Sequence, residues 1–142
     1  MELGTLNQHM KKIIATIILI ITGISFFSFN QKFDLKASVE RGKGIYETQC
    51  ITCHMEKGEG VDGLYPPLAN SDYLKADKKR AAQNILYGIS GEIVVNKTPY
   101  AVDMAGLDLT DTEVSDVLNY INHSFGNKGY VTTPAEVKAV RK

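Results

Sequence analysis

The two cysteines of this chain, Cys50 and Cys53, stand three positions apart, and His54 follows at once. Side chains three apart share one face of a helical turn. If helical, Cys50-Ile51-Thr52-Cys53-His54 therefore turns two thiols and an imidazole toward one neighbour. Two cysteines are too few for a disulfide scaffold. The 142 residues suggest one domain, with 8% aromatic content and no Trp, so the core these side chains can build is modest. A large buried group would help to fill it.

Three readings of the cassette compete. A zinc site needs two further ligands, and the remaining histidines are His9, near the start, and His123. A thioredoxin-like redox pair needs strand–helix alternation, which the sequence does not show. The third reading, favoured here, is c-type haem attachment. Each thiol adds across a vinyl group to form a thioether, and the adjacent imidazole reaches the iron from the same side. The cofactor is then one covalent haem c with its iron.

Lys11 and Lys12 precede an apolar run from Ile13 to Phe29. This is the pattern of an export signal, and its length is near the lower limit for a spanning helix. Residues 1–30 are read as a cleaved signal, with Ser28 at the cleavage position, or as a retained anchor giving membrane association through residues 13–29. Met10-Lys11-Lys12 would serve equally well as the start. No cysteine follows the run to carry a lipid. Either way the rest of the chain is expected in the periplasm or on the periplasmic face of the inner membrane. Glu2, Lys11 and Lys12 leave the first thirty residues one charge positive and the remainder one charge negative. Nucleic acid is no expected partner, since that calls for a strongly basic face.

Residues 31–37 read as a linker and 38–142 as the domain. A first helix is predicted over 38–49, with Val39, Gly42, Tyr46 and Cys50 on one face. A second is predicted over 78–87 with Asp77 as N-cap; Ala82, Ile85, Leu86 and Ile89 form its apolar stripe. Thr110 and Glu113 make a capping box for a third. Its stripe is Val114, Val117, Leu118, Ile121 and Phe125, and Gly126 ends it. Thr133, Pro134 and Glu136 open a short fourth. Ile93-Val94-Val95 and Asn96-Lys97 suggest a small hairpin.

From Arg41 to Phe125 the chain resembles class I cytochrome c domains of bacteria. Gly42-x-x-x-Tyr46-x-x-x-Cys50-x-x-Cys53-His54 is similar to the family's N-terminal helix, and Val117-Leu118-Asn119-Tyr120-Ile121 to its C-terminal helix. Val131-Thr132-Thr133-Pro134-Ala135-Glu136-Val137 resembles a tail of domains attached to copper nitrite reductases and sugar-type dehydrogenases. The resemblance implies an all-α fold: three main helices around one covalently bound haem, with a small hairpin and a short C-terminal helix. It implies that the terminal helices cross at Gly42 and Tyr120, where a missing Cβ allows close approach.

A low-spin carrier needs a second axial ligand. Met1 and Met10 lie in the leader, and Met55 is too close to His54 to reach the other haem face. The family places its axial Met where Met104-Ala105-Gly106 stands, with Ala105 in place of a Pro. His54 and Met104 are thus the expected iron ligands, and Met/His ligation raises the potential. By the same resemblance the Pro66 carbonyl accepts from the His54 ring, and Leu68 packs on the haem. Tyr100 is read either as a propionate donor or as packing. Lys75, Lys78, Lys79 and Arg80 form either a solvated helix face or a steering patch for an acidic partner. The expected function is one-electron transfer without catalysis, with an oxidase, nitrite reductase or dehydrogenase as donor or acceptor. The rivals are a five-coordinate haem enzyme or gas sensor, and an accessory subunit of a larger complex.

Overall fold

In the computed structural model, which describes residues 7–27 and 32–142, the chain separates into Met1–Phe33 and Asp34–Lys142. In the first unit, helix α1 spans Gln8–Phe27. The Asn7 carbonyl accepts from the N–H groups of Met10 and Lys11, so α1 begins ahead of the lysines. Ser28 and Phe29, the end of the expected leader, lie outside the described residues. No helix among the described residues is long and apolar enough to cross a membrane.

The second unit opens with α2, Leu35–Gln49. This helix takes the last three positions of the expected linker. The Asp34 carboxylate accepts from Ala37 N–H at 3.1 Å, and that cap sets the start three residues before Ser38. A one-turn helix α3, Ile51–His54, carries the cassette. Next comes α4, Asp72–Ala76, which the sequence reading missed; Ser71 caps it by accepting from Leu74 N–H at 3.1 Å. Helix α5 runs Lys78–Tyr87 with Asp77 as its cap, as expected. Four short strands follow: β1, Gly88–Ile89; β2, Ile93–Val95; β3, Thr98–Tyr100; and β4, Met104–Ala105. β2 and β3 form the expected hairpin, turning at Asn96 and Lys97, whose φ values are 50° and 70°. β1 pairs antiparallel with β4, Ile89 opposite Met104. Helix α6, Asp111–His123, and α7, Pro134–Lys138, complete the chain, each begun by a full capping box.

α6 is the axis of the unit, and α2 crosses it. At the crossing, a Cβ on Gly42 would run into the Asp116 backbone carbonyl and lie 2.9 Å from Cβ of Tyr120. Only glycine permits that approach. Below the crossing, the rings of Tyr46, Tyr120 and Phe125 pack tilted and edge-to-face at centroid distances of 5.2–5.5 Å. Phe125 does this by leaving the helix. α6 stops at His123, and Phe125 takes a φ of 55°, which returns its ring to the aromatic cluster. Its place in the predicted helical stripe, and Gly126 as the stop, are corrected accordingly.

The face of α6 turned toward α2 is polar and buried. Asp116 accepts from Ser38 Oγ at 2.6 Å and from Arg41 Nε and Nη2 at 2.6 and 2.8 Å. Asn119 donates to Ser38 Oγ and to the Thr132 carbonyl, and accepts from Thr132 N–H. Ser115 Oγ also donates to that carbonyl. A buried carboxylate is costly unless it is paired and hydrogen-bonded, and here it is both.

Candidate functional site

On its other side, α6 presents Val117, Leu118 and Ile121 to a cavity of about 300 Å³. That volume is in the range of small-molecule and cofactor sites. Ala81 and Ile85 of α5 and Leu74 of α4 add to an apolar wall. The seven residues singled out from the sequence, Cys50, Cys53, His54, Pro66, Leu68, Tyr100 and Met104, all line this one cavity.

The cassette reaches the wall through a tight turn. His54 N–H donates to the Cys50 carbonyl at 2.9 Å, closing one helical turn. Met55 ends the turn with a φ of 64°, and its carbonyl accepts from Tyr46 Oη at 2.7 Å. Helix α2 thereby holds the cassette from behind, and Met55 does not line the cavity. Both thiols are free and partly buried. Burial pushes the Cys50 thiol up to about 11, with a further push from Cys53, so it is protonated at neutral pH.

His54 Nδ1 lies 2.9 Å from the Pro66 carbonyl. For that pair to bond, Nδ1 must donate, which leaves Nε2 with its lone pair free for a metal. Burial lowers the His54 pKa, against the weaker opposing pull of the Pro66 carbonyl, and so favours the neutral ring. The Pro66 loop is itself held. Leu68 and Ala69 N–H both donate to the Gly58 carbonyl at 2.8 Å. Asn127 donates to the Leu68 carbonyl at 3.0 Å and accepts from Asn70 N–H at 2.8 Å.

Met104 sits in the two-residue strand β4. Pairing with Ile89 restrains it, the role that the absent Pro at position 105 would otherwise share. Tyr100 is 5% exposed and pairs with Ile93 across the hairpin. Asn84, Tyr65 and Tyr73, which the sequence reading did not single out, also line the cavity. Asn84 follows Ala81 by three positions on α5, a spacing that signals a shared face. His123 is exposed, and its Nδ1 lies 2.9 Å from the Asn119 carbonyl one turn back. Of the basic cluster, Lys78 pairs with Glu136 at 2.6 Å, and Arg80 stacks on the Tyr73 ring at 3.8 Å. Lys75 and Lys79 stay exposed.

The donor set fits a covalently attached iron porphyrin. It offers two thiols one helical turn apart, a neutral imidazole with one nitrogen already engaged, and a thioether, in an otherwise apolar chamber. It does not fit structural zinc: among the described residues no group of three or more His, Cys, Asp or Glu gathers as it would around a metal ion. The described strands form two-stranded antiparallel ladders, not a thioredoxin-like sheet.

Comparison with known proteins agrees. The family model described as Cytochrome c matches residues 39–125. Cytochrome c-552 of Thermus thermophilus is 36% identical over 110 residues, covering 70% of this chain and 83% of that protein. The cytochrome c subunit of a quinone alcohol dehydrogenase from Gluconobacter oxydans (strain 621H) is 34% identical over 98 residues. The chain spans only 20% of that subunit's length, and the match covers 66% of this chain. The fructose dehydrogenase cytochrome subunit of Gluconobacter japonicus is 30% identical over 107 residues, 70% of this chain and 22% of the relative. The chain belongs to the cytochrome c family, with the class I fold, a covalently bound haem c as cofactor and electron transfer rather than catalysis as its work.

Proposed function

We propose that this chain is a mono-haem carrier of single electrons whose iron is held by His54 and Met104, working outside the cytoplasmic membrane. One observation carries the reading: a single apolar cavity is lined by the cassette and, fifty positions along the chain, by Met104. Cys50 and Cys53 would make the thioethers. When bound, the haem supplies the one-electron chemistry, its iron alternating between ferric and ferrous. The protein's part is to orient, to exclude water and to set the potential. Pro66 fixes the imidazole plane and makes the ring a better donor. The Met104 thioether favours the ferrous state and raises the potential. Leu68 and the α5–α6 wall keep the site dry. Tyr100, on the cavity wall, would either donate to a haem propionate or pack against the cofactor.

The location rests on the lysine-led apolar leader. The proposed donor is a dehydrogenase, supported by the relatives that are cytochrome subunits of alcohol and fructose dehydrogenases. The acceptor is a second redox protein such as an oxidase or nitrite reductase.

The test is the holoprotein, made with haem-attachment machinery. A porphyrin covalently retained on denaturation, and a ferrous form that binds carbon monoxide slowly, are the expected results. Met104→Ala should lower the potential and speed carbon monoxide binding. A colourless product would refute the attachment, and a Met104→Ala protein with an unchanged spectrum would refute the ligand.

A further inference from the structure

Met104 sits on a hairpin with two limbs. The incoming limb is the end of α5 with β1, and the outgoing limb is β4 and the run to α6. The limbs are joined at close quarters. Ile89 pairs with Met104, and Leu107 N–H donates to the Ile85 carbonyl at 2.8 Å. Two glycines make room: a Cβ on Gly88 would strike the Met104 carbonyl, and one on Gly106 would lie 2.7 Å from the Leu86 carbonyl. This ladder is only two residues long per strand. So short a pairing is marginal by itself.

Residues 126–142 lie beyond the family match, which ends at 125. Their far end touches both limbs. Arg141 Nη2 donates to the Leu109 carbonyl at 2.7 Å on the outgoing limb, and Nε to Asp111 Oδ1 at 2.6 Å where that limb enters α6. The main-chain N–H of Lys142 donates to the Tyr87 hydroxyl, and its ammonium lies 5.4 Å from the centre of the Tyr87 ring. Tyr87 stands directly before β1 on the incoming limb. The segment leading to that far end is well anchored at α7. Val137 is 1% exposed, the Thr133–Glu136 box fixes the start of α7, and Glu136 pairs with Lys78 on α5.

We infer that residues 134–142 form a strap that clamps the two limbs of the Met104 hairpin, with Arg141 as a positioning residue for the sixth ligand. The inference rests on Met104 being that ligand. Mechanically, releasing the strap frees the hairpin to open and lets the sulfur leave the iron more often. Carbon monoxide can bind ferrous iron only when the sulfur is away, so its binding rate reports that population.

The experiment compares four holoproteins: wild type, Arg141→Ala, Met104→Ala and the double variant. Read-outs are carbon monoxide binding rate, reduction potential and the pH at which the ferric protein loses its sulfur ligand. Arg141→Ala should bind carbon monoxide about three to ten times faster, the population change expected from losing its two partly exposed hydrogen bonds, whose net worth solvent screening reduces. Its potential and ligand-loss pH should both fall. In the Met104→Ala background, Arg141→Ala should change neither rate nor potential, because no sulfur remains to position. If Arg141→Ala lowers only the melting temperature while Met104→Ala behaves as a ligand loss, the strap is purely structural and the inference fails alone. If Met104→Ala leaves rate and potential unchanged, the ligand reading fails and takes the inference with it.

Discussion

The two faces of α6 are built on opposite principles. The face toward α2 is closed by the protein alone. Ser115, Asp116 and Asn119 find partners on α2 and in the segment at Thr132, and Gly42 lets the backbones meet. The face toward α5 is apolar and opens on a cavity, so its side chains need a further body to pack against. Polar closure specifies how the helices cross, whereas the apolar face leaves its energy to be supplied by the cofactor. The first region should persist without haem and the second should not.

The largest effect should come from removing the thioether anchors. A Cys50→Ala, Cys53→Ala protein purified without haem should lose of the order of 5 kcal/mol of stability, the scale of an unfilled chamber of this size. Hydrogen exchange should then show α5 and the strands unprotected and the α2–α6 crossing retained. Uniform loss across both regions would break the comparison.

Next, Gly42→Ala forces a methyl group into the Asp116 carbonyl. A cost of about 3 kcal/mol follows from overpacking against backbone. Thermal melting should fall while the visible spectrum of the holoprotein stays the same. A spectral change would mean that the two faces are coupled more tightly than drawn here.

Asp116→Asn tests the polar closure more gently. It keeps the shape, removes the charge and weakens the bonds from Ser38 and Arg41. Arg41 is 54% exposed and stays solvated, so the loss should be about 1–2 kcal/mol, read from denaturant unfolding. No loss would assign that carboxylate to the surface.

The smallest effect is one of pH. Glu136 is held below its ordinary value of 4.5, first by Lys78 and then by the Thr133 cap. The unfolded state therefore takes up its proton first as pH falls. The stability Glu136 adds is fully present above the ordinary value and is lost as pH falls from there through the lowered folded-state value. Amide exchange in α7 should quicken over that window before α6 responds. Simultaneous loosening of both helices would contradict a separately anchored α7.

Much of this was legible in the sequence, because the signals were local. The cassette, both capping boxes, the Asp77 cap and the Asn96-Lys97 turn depend on neighbours a few positions apart, and each stands where expected. Gly42 and Tyr120 were read through family resemblance and do meet at the crossing. The β1–β4 pairing was not legible, since two-residue strands have no periodicity and Gly88 and Met104 are far apart in the chain. Nor was the role of Arg141, whose partners lie 30 and 32 positions away. The polar face of α6 did leave a trace. Ser115, Asn119 and Asn122 recur at i, i+4 and i+7, a second stripe that apolar periodicity alone passes over.

The most direct test of the site is the proton spectrum of the ferrous holoprotein with methionine methyls labelled. A methyl held over a porphyrin face is shifted strongly upfield by the ring current. The account requires one such methyl, absent from Met104→Leu and present in Met55→Leu. An upfield methyl that survives Met104→Leu, or no shifted methyl at all, would contradict it.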